Sequence, residues 1–338
     1  MKQRHDNERD HRINKQWLPT TKKEIDHLGW DHIDVIIFSG DAYIDHPSMG
    51  AAVIGRMLEA HGYNVAIVPQ PNWRDDLRDF KKLGRPRLFF GVSAGAMDSM
   101  VNHYTANRRR RSDDAYTPDG RAGQRPDCPT VVYSEILKRI WPDVPVVAGG
   151  IEASLRRLAH YDYWKDRLVP SILMESPADI MVYGMGEKPM LQIADALNDG
   201  MPIEALLDIP QTMVRRPLDE IPTDGNDVVL HSFEECLRDK KKQAENFRNI
   251  EIESNLWHGH TLWQATGNVA IKVNRTNPPM TTEEIDATFD LPYTRLPHPR
   301  YNGKRIPAYE MIRHSVNMHR GCFGGCAFCT ISAHQGKF

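Results

Sequence analysis

Residues 33–38 read I-D-V-I-I-F and run directly into Ser39-Gly40-Asp41. A short apolar run rich in β-branched residues, ended by small turn residues, is the pattern of a strand buried on both faces of a parallel sheet. After the loop A-Y-I-D-H-P-S the period changes. Met49, Val53, Met57 and Ala60, with Ile54 and Leu58 beside them, form the apolar stripe of a helix over about 48–61, and Gly62 follows where a C-terminal glycine belongs.

The same unit recurs downstream. Strands are expected at 64–68, at 87–92 running into S-A-G-A-M, at 144–148 running into Gly149-Gly150, and at 179–183 running into G-M-G-E. Helices are expected at 73–82, from Glu152, and at 189–198. Strands alternating with helices at this interval mean βαβ units with right-handed crossovers. Five strands predict an α/β, doubly wound, flavodoxin-like parallel sheet over 31–200. In such a sheet ligands bind beyond the carboxyl ends of the strands, which makes Gly149 and Gly150 candidate rim residues. Glycines there are also what tight strand-to-helix turns require.

An insertion at 103–132 carries Arg108, Arg109, Arg110 and Arg111, a candidate contact for the phosphate backbone of an RNA substrate. No aromatic or glycine-rich RNA-binding string accompanies them, so the expectation is a solvated turn partly neutralised by Asp113 and Asp114. The segment 151–166 is dense in polar aromatic residues and is a candidate lining of the same rim. Residues 1–30 read as a loose polar arm with a short helix near 21–28. From 201 to 312 the alternation stops. A proline-rich linker at 201–230, a charged helix at 232–248, a strand at 269–273 and a capped helix opening at T-T-E-E are read as a bridging segment.

Charge is balanced, with 43 Lys and Arg against 45 Asp and Glu, so no global field argues for nucleic acid or membrane binding. No apolar run approaches a membrane span and the first residues are polar, so the expected location is the cytoplasm. Five cysteines, an odd number, fit a reducing compartment better than a disulfide framework. Cys128 and Cys236 lie far from the others and are read as structural. Cys322, Cys326 and Cys329 are spaced C-x3-C-x2-C within R-G-C-F-G-G-C-A-F-C. Three thiolates on so short a loop can converge on one soft metal centre, and Gly321, Gly324 and Gly325 would let the backbone wrap around it. The favoured occupant is an iron-sulfur cluster. Zinc with His334 as fourth ligand stays open as the alternative.

The strings S-G-D-A-Y-I-D-H-P, F-G-V-S-A-G-A-M-D-S-M-V-N-H-Y-T-A, G-G-I-E-A-S-L-R-R, N-P-P with T-T-E-E-I-D and L-P-Y, and H-R-G-C-F-G-G-C-A-F-C together resemble the YgiQ-type radical S-adenosylmethionine family over about 17–338. The resemblance implies a 4Fe-4S cluster on Cys322, Cys326 and Cys329, with the fourth iron open to S-adenosyl-L-methionine. It makes Phe328 a candidate neighbour of the adenine and puts Arg320 or His319 near the anionic cluster. It further implies reductive cleavage of S-adenosylmethionine on an unknown substrate and an electron donor such as flavodoxin or ferredoxin.

The loop order is also similar to cobalamin-binding domains, which makes cobalamin a candidate cofactor. However, Asp45-His46 are adjacent where cobalamin-dependent mutases separate the pair by one residue, so His46 departs from the axial-ligand pattern. In the family the cysteine loop follows the first strand of a (β/α)6 barrel. That strand is expected at 314–318, and this sequence stops nine residues after Cys329, so the barrel is expected to be incomplete. The expected organisation is an arm at 1–30, a doubly wound domain at 31–200, a bridging segment at 201–312 and the start of the barrel at 313–338. A non-catalytic cobalamin- or nucleotide-binding module and a zinc-stapled interaction protein are the rival readings.

Overall fold

A computed structural model describes residues 16–317, 320–322, 324, 326, 331 and 334. Eleven strands lie among them: β1 Val35–Ser39, β2 Val65–Pro69, β3 Phe89–Ser93, β4 Val146–Gly149, β5 His160–Asp162, β6 Arg167–Val169, β7 Ile180–Val182, β8 Thr212–Pro217, β9 Val228–Val229, β10 Leu262–Thr266 and β11 Val269–Val273. Nine form one mixed sheet in the order β2-β1-β3-β4-β7-β8-β11-β10-β9, while β5 and β6 make a separate hairpin.

The first five strands of that order are parallel and carry the expected doubly wound arrangement. Alternation in β1 feeds two cores, because successive side chains point to opposite faces. Val35 and Ile37 join the helices Gly50–Ala60 and Glu187–Asn198 on one face. Ile36 and Phe38 join the helix Pro129–Ile140 on the other. That last helix begins within the insertion and is not among the expected elements.

Several expectations change in the structure. The sheet does not stop near residue 200. β8 pairs antiparallel with β7, and β11 pairs antiparallel with β8 and β10, so part of the segment read as a linker and bridge continues the sheet. Arg215 hides the strand T-M-V-R-R-P from an apolar pattern. Its guanidinium donates to the carbonyls of Leu173, Ser176 and Ala178 at 2.5, 3.0 and 2.6 Å, a role that apolar periodicity does not register.

The helix expected at 73–82 shortens to Arg78–Lys81, because the Asp75 and Asp76 side chains accept from the amides of Leu77 and Arg78 and hold a turn instead. The helix expected at 232–248 divides into Phe233–Arg238 and Lys240–Ser254. Asp239 is extended and accepts from the Lys241 amide, so it caps the second helix and ends the first.

The described part of the arm packs on the sheet. Leu18 is fully buried, Pro19 accepts from the Ile67 amide at 2.9 Å, and Thr21 and Glu24 form a capping box on the helix Lys22–Leu28. The helix Thr282–Phe289 carries the expected box of Thr281 and Glu284. Residues 314–317 form turn and coil, not strand, and Met318 lies outside the described residues. Among the described residues no helix is long and apolar enough to cross a membrane.

Candidate functional site

Loops leaving the carboxyl ends of β1, β3, β4 and β7 meet at one rim, and their small residues let them press on one another. Gly40 donates to the Ser93 carbonyl at 3.0 Å, and a Cβ at Gly40 would lie 2.1 Å from the Ala94 oxygen. Gly150, at φ 87°, is so close to Ser93 that a Cβ would meet its Oγ at 2.9 Å, and one at Gly149 would lie 3.3 Å from the Val182 oxygen. The surroundings of Gly149 and Gly150 are thus protein groups of neighbouring strands and loops.

The insertion closes the rim beside β1 and β3. Arg125 is fully buried and reaches Asp41 at 2.8 Å, Asp114 at 3.1 Å and the Ala94 carbonyl at 2.8 Å. Burial pushes the Asp41 carboxyl up to about 6 although Arg125 opposes the shift. Two carboxylates around one guanidinium leave this buried cluster with an excess negative charge when both are ionised.

Beside β4 a second polar cluster forms. Glu152, fully buried, accepts from Ser99 Oγ at 2.6 Å and from the Thr130 amide at 3.0 Å, and Arg156 pairs with Asp98. Asp98 also caps the helix Ser99–His103. Burial, reinforced by Glu152, pushes the Cys128 thiol up to about 12, which keeps it protonated. Cys236 is buried too and contacts the Asn246 side-chain amide at 3.1 Å.

His46 is buried in the loop after β1, with Nδ1 accepting from the Ser48 amide at 3.1 Å and Nε2 unpartnered among the described residues. Burial and the nearby Arg295 lower its pKa. The neighbouring Asp45 faces away to other work. Its carboxylate receives Arg56 Nε at 3.0 Å, Arg56 Nη2 at 2.5 Å and the Thr294 amide at 2.8 Å.

The end of the described chain returns to this same rim. Ser48 Oγ donates to Asn317 Oδ1 at 3.2 Å, and Arg320 pairs with Glu187 at the start of the helix Glu187–Asn198. The Arg320 guanidinium also lies 4.9 Å from the centre of the Phe289 ring. His334 Nδ1 is 2.8 Å from Ser154 Oγ, which is itself 2.9 Å from the Gly150 carbonyl and 3.0 Å from the Gly184 amide. Burial takes the His334 pKa down to about 4, so the ring is neutral near pH 7.

The structure brings two of the three candidate cluster ligands together. The Sγ atoms of Cys322 and Cys326 each lie 3.6 Å from the point where a Cβ on Gly324 would stand. Cys322 is half-buried and Cys326 exposed. Cys329, Phe328 and His319 lie outside the described residues, and among those described no group of three or more His, Cys, Asp or Glu side chains is placed to hold a metal. A cavity of about 460 Å³ opens beside the returning chain, lined by residues that include Tyr183, Gln211, Trp257, Phe289, Arg320 and His334.

Sequence reasoning missed Arg125, Asp98, Glu152 and Arg56 as organisers of the rim. The available signal was charge inside otherwise small or apolar strings next to strand ends, as in A-M-D-S-M and G-G-I-E-A-S.

The radical SAM N-terminal family matches residues 17–315, most of the chain up to the cysteine loop. The chain belongs to this family. Its relatives include a UPF0313 protein of Porphyromonas gingivalis, 67% identical over 323 residues that cover 95% of this chain and 51% of the relative. A UPF0313 protein of Bacteroides thetaiotaomicron is 63% identical over 333 residues, covering 95% and 54% of the two chains. The UPF0313 protein YgiQ of Escherichia coli K12 is 44% identical over 374 aligned positions, covering 95% and 50%. The chain therefore spans about half the length of the curated relatives it matches. No solved structure matches it. Membership in the UPF0313/YgiQ family agrees with the resemblance read from the motif strings.

Proposed function

We propose that this chain is the N-terminal portion of a radical S-adenosylmethionine enzyme and that Cys322, Cys326 and Cys329 hold a 4Fe-4S cluster. The observation that carries the reading is that Cys322 and Cys326 Sγ both approach Gly324, each 3.6 Å from where its Cβ would stand. A set of cysteine sulfurs is the donor chemistry an iron-sulfur cluster takes. When bound, such a cluster supplies one-electron reduction of S-adenosylmethionine, and through it hydrogen abstraction from a substrate.

The chain's own residues hold the loop for that task. The Arg320 pair with Glu187 and the Asn317 bond to Ser48 fasten the segment entering the cysteine loop to the rim. The Ser154 contact with His334 fastens the segment leaving it. Arg320 places a cation two residues before the first ligand, where it offsets the anionic charge of thiolate-bound iron. With its Nδ1 held by Ser154, His334 serves the loop as an anchor. In this reading the electron would come from a donor such as flavodoxin or ferredoxin, and the 460 Å³ cavity, whose lining includes Arg320 and His334, would offer room for a substrate.

Anaerobic reconstitution of the longer, full-length protein with iron and sulfide tests the assignment. Wild type is expected to bind about four irons and four sulfides per chain. Cys326→Ala is expected to lose most of both. Equal iron and sulfide in the two proteins would overturn the cluster assignment.

A further inference from the structure

From the sequence the turn carrying Arg108–Arg111 reads as solvated, because no aromatic or glycine-rich RNA-binding string accompanies it in the chain. The fold brings the aromatics from a segment some fifty residues away. Tyr163, just beyond β5, places its ring 4.6 Å from the Arg108 guanidinium and donates its hydroxyl to the Ala106 carbonyl at 2.5 Å. Tyr161 stands in β5 of the same hairpin, two residues before Tyr163 in its turn, so the hairpin carries both rings close together in the chain. They remain 56% and 43% exposed for Tyr161 and Tyr163, which distinguishes them from core aromatics.

Arg108, Arg109, Arg110 and Arg111 are all exposed, and none makes an ion pair among the described residues. The carboxylates around them are mostly engaged. Asp127 is held by His103 at 2.6 Å and Tyr104 at 2.9 Å, Asp166 is bonded to the Tyr161 hydroxyl, and Glu175 pairs with Lys165 at 3.1 Å. Asp113, two residues beyond Arg111, is exposed, and its backbone bridges to Arg121. Arg108 has left-handed backbone, φ 59°, and the turn is tied by Thr105 N to Arg109 O at 2.8 Å and Arg111 N to His103 O at 2.8 Å. The cations are therefore presented on a braced turn. Both the insertion and the hairpin leave the carboxyl ends of the parallel strands, the side to which the cysteine loop returns.

We propose that this surface binds a single-stranded segment of RNA, with phosphates on the arginines and bases stacked on Tyr161 and Tyr163. Unpaired charge beside exposed, sequence-tolerant stacking platforms is the combination that such strands recognise, and unpaired RNA is read by aromatic and arginine planes. An acidic protein partner would use the arginines and leave the rings idle. The binding itself is independent of the proposed cluster, and only the status of that RNA as substrate rests on it.

Fluorescence anisotropy on the full-length protein tests the proposal, with a labelled oligouridylate of about 12 nucleotides at about 50 mM salt. Replacing Arg108, Arg109 and Arg111 together by Ala is expected to flatten the plot of log affinity against log salt by about 2. Tyr163→Ala is expected to weaken binding between about 5- and 150-fold while Tyr163→Phe keeps most of it. Lys22→Ala with Lys23→Ala, in the helix before β1 and outside both the arginine turn and the hairpin, is expected to change little. Matched thermal melts confirm that each variant is folded. Absence of oligouridylate binding overturns the proposal. So does oligothymidylate binding as tightly as the RNA, or polyglutamate competing equally with no effect of Tyr163→Ala. Because no cluster is needed for this measurement, its failure is separable from failure of the iron and sulfide assay.

Discussion

Arg56→Met tests the tie between the first rim loop and the segment that leads toward the cysteines. Arg56 and Asp45 are 2% and 0% exposed, and the Asp45 carboxylate has two of its three hydrogen bonds from this guanidinium. Arg56 further donates to Glu59 at 2.8 Å and to the Gln16 carbonyl at 2.7 Å. Burial by itself would lower the Arg56 pKa, but the bonds to Asp45 reverse that and raise it. Methionine fills much of the volume and supplies none of the charge. It leaves a buried carboxylate with only the Thr294 amide, a change that costs about 3–5 kcal/mol.

With an unfolding entropy of roughly 2.1 cal/mol/K per residue over 338 residues, about 0.7 kcal/mol/K, the expected fall in Tm is roughly 4–7 °C. Differential scanning calorimetry measures it. Asp45→Asn combined with Arg56→Met removes the stranded charge and is expected to recover a large part of the loss, since the penalty arises from an unpaired ion more than from a missing attraction. A single-variant decrease below about 1.5 °C, or a double variant no more stable than the single, would refute the reasoning.

Two further outcomes follow from the rim. Asp41 titrates near 6 in the folded chain against 3.8 in a free carboxyl, so the native state holds the extra proton between those values and stability falls as pH rises through that window. Asp41→Asn keeps an acceptor for the Ala96 amide and removes the ionisation. Urea titrations are expected to show the variant gaining on wild type by on the order of 3 kcal/mol between about pH 4 and 7, and a pH-independent difference would contradict this. Gly40→Ala drives a Cβ to 2.1 Å from a backbone oxygen, whereas Gly55→Ala meets only the flexible Leu18 Cδ1 at 2.5 Å. The first is expected to cost about 3 kcal/mol and the second distinctly less, and equal melting temperatures would count against the packing account.

Much of the fold was legible because it is written locally. The run 33–38 and the stripe of Met49, Val53 and Met57 carry their periods in adjacent residues, and the structure places strand and helix there with ends shifted by one or two positions. The T-x-x-E capping box at Thr281 was equally local. β8 was illegible for the opposite reason. Arg215 satisfies carbonyls contributed by residues 173–178, and no property of T-M-V-R-R-P announces them. The rim divides the same way, since the glycines after each strand were plain to read while Arg125 acquires its meaning only when 41, 94 and 114 converge on it.

By itself the sequence determined the alternation of buried strands and amphipathic helices, the family strings and the three cysteines at short spacing. These follow from side-chain period and chain connectivity, which a linear text preserves. Tertiary structure alone decided that the sheet runs on to nine strands, that Arg320 and His334 bring the end of the described chain back to Glu187 and Ser154, and that Tyr163 stands over Arg108. Those contacts join residues tens to hundreds of positions apart. Their energy depends on distance and burial in the folded chain, quantities that separation along the sequence does not encode.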